Sequence, residues 1–344
     1  MKKILLIDPV GRSRGMERWH ENFSNLVISR FDLTILGNYH SALVKKSFTY
    51  DKEKKLSSVW SILKFALRPT FKSVDKIAIA HYGESMNTLL FLPAVLRYRK
   101  NKRYLLIHDV ESTLKSERKG LRNRLTKMAD KILFSFFDKL IVHNANVGSL
   151  FPGKEAFDMP LPPTIFPELM EHKSSTDKYI FWGFIKRSKN VEFIFDLARI
   201  MPYKTFDIYG TFINEEYKTA FLTILEGEKL ANLNFFETYV DEKEIGNLLS
   251  KYDAVLMPYT FITNSGILQT NADYCAVSIT SDLPAFRACS DISVNLGLNT
   301  AVWKTYLDAL TVTQIDHEKK KILVSNAKRV SEFKERLEVL AGLD

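Results

Sequence analysis

The sequence predicts an α/β protein with two doubly wound domains, and three observations lead to this prediction. The chain has 344 residues, which is more than one ordinary domain needs. Short apolar runs alternate with longer segments of helical period, and the alternation starts again in the second half. A proline-rich stretch separates the two halves. We therefore expect two parallel, Rossmann-like sheets covered by helices, facing each other across a cleft.

In the first half, apolar runs predict five strands, and segments with a 3.6-residue apolar period predict three helices between them. The predicted strands cover residues 4–8, 31–36, 76–81, 104–109 and 139–143. The predicted helices cover residues 16–29, 85–99 and 121–136. These elements define a first domain over residues 1–160.

The second half repeats the pattern after residues 161–177, where prolines and then a polar run predict a linker. The predicted strands cover residues 179–183, 205–209, 234–236, 254–258 and 277–281. The predicted helices cover residues 191–200, 214–226 and 242–251. We expect a second domain over residues 178–325. A charged segment of helical period predicts a C-terminal helix, residues 326–344, which can cross back to the first domain.

The composition is that of a folded globular chain, with 46% hydrophobic and 26% charged residues. These values exclude disordered and fibrous proteins. No charge-free apolar run approaches the roughly 20 residues of a membrane helix, and the first run is too short for a signal peptide. Two cysteines, Cys275 and Cys289, cannot build a disulfide framework or a zinc site alone. We expect a cytoplasmic protein with reduced thiols.

The chain has a net charge of +9, and all of the excess positive charge lies in its first half. Residues 1–172 hold 29 Lys and Arg against 17 Asp and Glu, whereas the remaining residues hold 20 against 23. A basic surface attracts nucleic acid, anionic lipid or phosphorylated substrates, although solubility alone also explains it. Nucleic acid is not expected, because no recognisable nucleic-acid module accompanies the charge. The mixed apolar and basic segment 60–68 fits peripheral contact with an anionic membrane, with core packing as the alternative.

Ligands of open α/β sheets bind beyond the carboxyl ends of the strands, so the turns after strands hold the candidate residues. In the first domain, Gly11 and Gly15 let a cleft loop approach a ligand, and His81 ends a strand. An ordinary tight turn and a helix cap are the alternatives there. His108 and Asp109 end a strongly apolar strand, where imidazole and carboxylate can bind sugar hydroxyls or move a proton as the catalytic groups.

In the second domain, two turns carry groups that suit a diphosphate. Three cations follow a strand that we expect to end at Gly183: Lys186, Arg187 and Lys189. They could neutralise a diphosphate that leaves as a dianion. A later helix begins with Asn264, Ser265 and Gly266, and free backbone N–H groups at a helix start favour phosphate. A solvated basic turn and simple helix capping are the alternatives.

Several segments, in their order along the chain, resemble one enzyme family. In the second half they are Phe181-Trp182-Gly183 with Lys189-Asn190, residues 207–210, residues 248–259 and residues 265–282. In the first half they are Ile107-His108-Asp109 and residues 138–144. Together they resemble two-domain GT-B glycosyltransferases, particularly the retaining family 4. The resemblance is spread over most of residues 104–285.

The resemblance implies a UDP- or GDP-linked sugar donor held mainly by the second domain, an acceptor held by the first domain, and no metal or other cofactor. It implies that Lys189 binds the diphosphate, with help from Lys186 or Arg187 and from the N–H groups at Ser265-Gly266. It also implies that His108 contacts the donor sugar near the reacting carbon. The implied base and ribose positions are Thr238, Tyr239, Val240 and Asn271.

The chain departs from the family pattern at two places. Phe184 stands where the family has an arginine, and Lys186 or Arg187 could substitute for it. The family's Glu-x7-Glu pair aligns with Thr263 and Asn271, neither of which is acidic. In the family, the first carboxylate meets the donor sugar and the second meets the ribose.

These observations favour a glycosyltransferase that moves a hexose-type sugar to a lipid-linked or saccharide acceptor, with retention of configuration. Its expected setting is cell-surface polysaccharide or glycolipid synthesis at the inner face of the cell membrane. A non-catalytic GT-B subunit that supports a partner transferase is the alternative, and the absent acidic pair is its main support. A sugar-nucleotide epimerase of the same shape is a third interpretation. It requires acid–base pairs that the sequence does not supply in recognisable positions.

Overall fold

The computed structural model describes residues 2–8, 17–37, 47–48, 76–81, 95–96, 103–108, 132–143, 153–169 and 177–342. The chain divides into two compact units. The first unit comprises Met1–Pro163 and Val330–Asp344, and the second comprises Thr164–Arg329. Each unit is built on a parallel sheet, so the predicted α/β class is confirmed.

The first sheet has seven strands in the order β3-β2-β1-β4-β5-β6-β7, and all its recorded pairings are parallel. The strands are β1 (Lys2–Asp8), β2 (Phe31–Gly37), β3 (Ser47–Phe48), β4 (Lys76–His81), β5 (Arg103–Ile107), β6 (Lys139–Val142) and β7 (Ala156–Asp158). All five predicted strands are present. The sequence missed β3 and β7, because two or three residues are too few to show an alternating pattern.

The second sheet has six parallel strands in the order β10-β9-β8-β11-β12-β13. The strands are β8 (Lys178–Ile185), β9 (Thr205–Phe212), β10 (Leu233–Phe236), β11 (Ala254–Met257), β12 (Ser278–Ser281) and β13 (Val294–Leu296). The five predicted strands are confirmed, although β8 continues two residues beyond Gly183. The central strands β11 and β12 are buried at every position, as expected for a sheet covered on both faces.

Eight α-helices have their bounds within the described residues. They are α1 (Glu17–Ile28), α2 (Phe193–Ile200), α3 (Glu215–Glu228), α4 (Glu242–Leu249), α5 (Gly266–Asp273), α6 (Pro284–Arg287), α7 (Thr300–Ala309) and α8 (Val312–Ala341). Several begin at a side chain that accepts a hydrogen bond from the first turn, namely Asn214, Asp241, Ser265 and Asn299. The predicted helices 85–99 and 121–136 lie mostly outside the described residues. Nowhere in the described ranges does a helix reach both the length and the apolar character that crossing a bilayer would demand.

The core of the first unit joins α1 to the end of α8. Helix α1 buries residues spaced along one face: Trp19, Phe23, Leu26 and Val27. The Phe23 ring meets the Phe333 ring edge-on at a centroid distance of 6.1 Å. The hydroxyl of Tyr104 on β5 donates to the carbonyl of Leu340 at 3.2 Å. The last turns of α8 are therefore part of the first unit's core, which agrees with the predicted return of the C-terminal helix.

Within the second unit, a polar network holds both chain segments that lead out of it. The N–H of Thr164 donates to Asp273 Oδ1 at 3.2 Å, and Asn326 Nδ2 donates to the carbonyl of Thr164 at 2.7 Å. Gln269 Nε2 donates to the same oxygen of Asp273 at 2.9 Å. Asp273 on α5 therefore holds the segment at Thr164, and the segment at Asn326 is attached to it through the carbonyl of Thr164.

Candidate functional site

The strand order of the second sheet reverses between β8 and β11, since the chain moves outward in one direction through β9 and β10 and in the other through β12 and β13. Ligands of open α/β sheets bind at the carboxyl ends of the strands at such a reversal. The two segments that leave these strands contact each other. The N–H of Thr260, after β11, donates to the carbonyl of Ser188, after β8, at 3.0 Å. The predicted diphosphate residues lie on these two segments.

Lys189 is buried at this reversal, with 9% of its surface exposed. It ends a single 3₁₀ turn, in which its N–H donates to the carbonyl of Lys186 at 2.8 Å. Asn190 then adopts a left-handed conformation with φ of 48°. The ammonium nitrogen of Lys189 lies 3.6 Å from the centre of the Tyr259 ring. Such an arrangement holds a cation by attraction to the ring face.

The Tyr259 side chain acts on Lys189 through its ring and not as a counter-ion. Burial raises the pKa of Tyr259 well above its ordinary value, so the phenol stays neutral. Its hydroxyl has no hydrogen-bond partner among the described residues. The carbonyl of Tyr259 accepts a hydrogen bond from Ser281 Oγ at 2.5 Å, which ties the residue to the end of β12. Tyr259 thus forms a rigid apolar wall beside the ammonium group.

The other two cations of the turn differ from Lys189. The guanidinium of Arg187 lies 5.5 Å from the centre of the Tyr217 ring on α3. The Tyr217 hydroxyl in turn donates to Glu192 at 2.6 Å. Lys186 is part-exposed and Arg187 is exposed. Of the three predicted cations, only Lys189 is buried at the strand-order reversal.

The first turn of α5 packs against β8 at Gly183, two residues before the strand ends. A Cβ atom at Gly183 would lie 2.4 Å from the Ile267 side chain, and the φ of Gly183 is +118°. The positive φ favours glycine at this position, and a Cβ would also displace the tip of the Ile267 side chain. Ser265 caps the helix by accepting from the N–H of Leu268 at 3.1 Å, and a Cβ at Gly266 would meet nothing within 4 Å. The first turn of α5 therefore has open space beside its backbone, where N–H groups favour an anion.

Asn271 occupies a different place from the ribose position that the resemblance implies. Its side chain is fully buried, and Trp182 Nε1 donates to its Oδ1 at 3.0 Å. Its Nδ2 donates to Ser278 Oγ at 3.0 Å. Because the eight-residue helix α5 turns this position towards the sheet, both polar atoms of the amide are used to join β8 to β12. In this structure Asn271 is a core residue, and the ribose prediction is corrected.

Two exposed aromatic rings lie near the carboxyl ends of β8 and β10: Phe184 is the next-to-last residue of β8, and Tyr239 comes shortly after β10. Phe184 is 37% exposed and Tyr239 is 39% exposed, and their ring centroids lie 6.5 Å apart with a tilt of 40°. Of the other residues in the predicted base region, Thr238 is exposed and Val240 packs against the core. Aromatic faces of this kind can stack on a nucleobase. The sequence predicted Tyr239 here but treated Phe184 only as a missing arginine.

In the first unit, the predicted His108 directly follows β5 and contacts a second histidine that follows β6. Its Nδ1 lies 3.0 Å from Nε2 of His143, and Nδ1 of His143 lies 2.9 Å from the carbonyl of Met159. The Trp19 ring meets the His108 ring edge-on at 4.9 Å. Burial lowers the pKa of His143 from 6.5 to about 4. Burial first, and then His143 and His20, lower the pKa of His108 well below its ordinary value.

The side chains of the other residues predicted in the first unit lie outside the described part of the structure. His81 is the last residue of β4, as predicted, and its side chain lies outside the described part of the structure. Gly11, Gly15, Asp109 and segment 60–68 lie outside the described residues. The sequence missed His143, which was visible only as one residue of the strand motif at 138–144.

Comparison with solved structures identifies the architecture. TarM aligns with 9% identity and a TM-score of 0.67, covering 99% of both chains. HepE of Anabaena, in complex with UDP and glucose, aligns with 12% identity and a TM-score of 0.66, over 99% of this chain and 100% of its own. Sucrose-phosphate synthase of Thermosynechococcus elongatus aligns with 10% identity and a TM-score of 0.65 over 100% of both chains.

The chain has the GT-B fold. No family model and no curated protein matches its sequence. The similarity therefore lies in the path of the backbone. In the GT-B fold of this chain, the second unit brings the 186–189 turn and the loop after β11 together, whereas Asn271 is withdrawn into the core.

Proposed function

We propose that the protein is a glycosyltransferase whose second unit binds the nucleotide diphosphate of a sugar donor. The observation that supports this most is the burial of Lys189 beside Tyr259 at the strand-order reversal. A positive charge at the carboxyl ends of β8 and β11 lies where an open α/β sheet binds its ligand, and it suits an anionic one. A diphosphate is an anion of the right kind, and the open first turn of α5 on a neighbouring segment offers N–H groups to the same ligand.

The chemical role of this arrangement is to stabilise the leaving group. As the bond between the sugar and the diphosphate breaks, negative charge grows on the phosphate oxygen, and the fixed ammonium of Lys189 attracts that charge. We propose that this cation and the helix start perform the neutralisation without a metal ion. We also propose that the acceptor hydroxyl passes its proton to a donor phosphate oxygen, so that configuration is retained.

The donor and acceptor follow from analogy and from charge. The HepE structure contains UDP and glucose, and a TarM structure contains UDP and alpha-GlcNAc-glycerol. We propose a UDP-linked hexose as the first donor to test, with a GDP-linked hexose next. The first unit would bind a lipid-linked or saccharide acceptor, and His108 and Asp109 would act there as catalytic residues. The excess of positive charge in residues 1–172 supports peripheral contact with an anionic membrane.

A turnover assay tests the proposal. The purified chain is incubated with UDP-glucose, UDP-N-acetylglucosamine or GDP-mannose, and the released nucleoside diphosphate is measured with and without saccharide acceptors. We expect release from one donor, a higher rate with an acceptor, and a fall of at least about tenfold in Lys189→Ala. Binding of a nucleoside diphosphate without any release would favour the non-catalytic subunit, since neither Thr263 nor Asn271 supplies the acidic pair.

A further inference from the structure

We infer that the chain forms a narrow, stiff hinge where it passes from one unit to the other, with bending confined to Pro163 on the first passage and to residues 330–332 on the second. The two passages come after Pro163 and after Arg329. Contacts on either side of each passage fix the backbone within its own unit. The inference concerns these two passages alone, so it does not depend on the proposed function.

Hydrogen bonds hold the backbone on both sides of Pro163. On the side of the first unit, Nδ2 of the buried Asn22 on α1 donates to the carbonyl of Pro162 at 3.1 Å. On the side of the second unit, the N–H of Thr164 donates to Asp273 on α5, and the carbonyl of Thr164 accepts a hydrogen bond as well. Pro163 is therefore the single residue between the two sets of contacts.

The two prolines leave this passage with little freedom to rotate. Their rings fix φ of Pro162 and of Pro163. A residue that precedes a proline is restricted to extended values of ψ, so ψ of Pro162 is restricted too. The freedom that remains is rotation about ψ of Pro163 and φ of Thr164. Hinges of proteins are commonly built from a few such residues, which absorb the change in backbone angles.

The second passage lies within a continuous helix. Helix α8 (Val312–Ala341) runs across the boundary between the units. On the side of the second unit, Arg329 Nη2 donates to Gln269 Oε1 at 2.5 Å. On the side of the first unit, Phe333 is fully buried and packs against α1. Residues 330–332 lie between these contacts, and an α-helix without proline or glycine curves only gently.

A hydrogen bond joins the two passages on the side of the second unit. Asn326 Nδ2 on α8 donates to the carbonyl of Thr164 at 2.7 Å, and Asn326 is buried. Both segments therefore leave the second unit side by side, next to α5. Two stiff segments that start together permit bending but resist stretching. We expect a narrow distribution of distances between a point on one unit and a point on the other.

Pulsed electron resonance between two spin labels measures this distribution in the full chain. Glu21 on α1 and Glu226 on α3 are exposed, one in each unit. A ketone-bearing amino acid at these two positions carries the labels and leaves the native cysteines unchanged. The measurement needs neither a nucleotide nor turnover, so its outcome is separate from that of the proposed function.

Two pairs of glycine variants locate the hinge. Pro163→Gly frees φ at the first passage, and its control Pro160→Gly makes the same change within the first unit. Ser331→Gly loosens α8 at the second passage, and its control Ser325→Gly lies on the same helix within the second unit. A general loss of stability would affect both members of a pair alike.

We expect a wider distance distribution in Pro163→Gly and in Ser331→Gly than in the unsubstituted chain. Both controls should keep the narrow distribution. Unchanged distributions in both hinge variants, or equal broadening in each variant and its control, would overturn the inference. A distribution in the unsubstituted chain as broad as that of the hinge variants would overturn it as well, because the passages would then not be stiff.

Discussion

The ammonium nitrogen of Lys189 lies 3.6 Å from the centre of the Tyr259 ring, and both side chains are buried. The contact joins the turn after β8 to the loop after β11, the two strands at which the sheet order reverses. It fixes a positive charge where an α/β sheet binds its ligand. The ring attracts the ammonium group through its face, and the neutral phenol adds no counter-charge.

Substitutions of Tyr259 separate the ring from its hydroxyl. Tyr259→Phe keeps the ring and removes a buried hydroxyl that has no partner among the described residues, so stability and nucleotide affinity should both be retained. Tyr259→Leu removes the ring face and should weaken UDP binding by roughly tenfold or more. Thermal unfolding and calorimetric titration measure the two effects. A loss of affinity in Tyr259→Phe would show that the hydroxyl, and not the ring, serves the site.

The two glycines near the start of α5 should respond differently to alanine. Gly183→Ala forces a side chain into a φ of +118° and against Ile267, and we expect a loss of about 1–2 kcal/mol in the free energy of unfolding. Gly266→Ala has open space around its Cβ and should leave stability unchanged. If phosphate approaches that space, Gly266→Ala should still weaken UDP binding. Unchanged UDP affinity in a stable Gly266→Ala variant would argue against phosphate binding at this helix start.

Restoring an acidic residue at position 271 should damage the fold and not improve the activity. Asn271 is fully buried, and its amide joins Trp182 to Ser278. Asn271→Glu would bury a carboxylate beside a hydroxyl and a sulfur atom, and we expect a loss of about 3 kcal/mol or more. Thr263→Glu is the matched control, because Thr263 is only part-buried. A stable Asn271→Glu variant with raised turnover would contradict the placement of this residue.

The histidine pair should make the first unit sensitive to acid. The unfolded chain protonates these imidazoles below pH 6.5, whereas burial lowers the pKa of His143 in the folded chain to about 4. The unfolded state therefore binds more protons between about pH 4 and 6.5, and stability falls as the pH decreases through this range. Each unit of pKa shift corresponds to about 1.4 kcal/mol. His143→Gln should flatten this dependence, measured by denaturant unfolding at several pH values.

The strands and the order of the elements were predictable because apolar runs and turn residues are local signals. The ten predicted strands are all present, and His108 does follow β5. Contacts between distant segments were not predictable in the same way. Lys189 and Tyr259 are 70 residues apart in the sequence, and His108 and His143 are 35 apart. The periodic pattern of apolar residues carries no information about such a pair, because the order of the strands in the sheet brings the two residues together.

At Asn271 the family spacing predicted a ribose contact, but the packing of α5 buries the side chain. Its position relative to Gly266 matched the family spacing, but spacing does not state which face of α5 meets the sheet. The sequence does not reveal that Trp182 and Ser278 supply the polar groups that hydrogen-bond to its amide. A buried asparagine needs such partners, and neither residue is near it in an obvious motif.

Calorimetric titration tests whether Lys189 binds a nucleoside diphosphate. UDP and GDP are titrated into the full chain, its Lys189→Ala variant and the charge-matched surface control Lys320→Ala. We expect one bound nucleoside diphosphate per chain, with affinity at least about tenfold weaker in Lys189→Ala and unchanged in Lys320→Ala. No binding of either nucleotide, or equal affinity in all three proteins, would contradict a diphosphate site at Lys189.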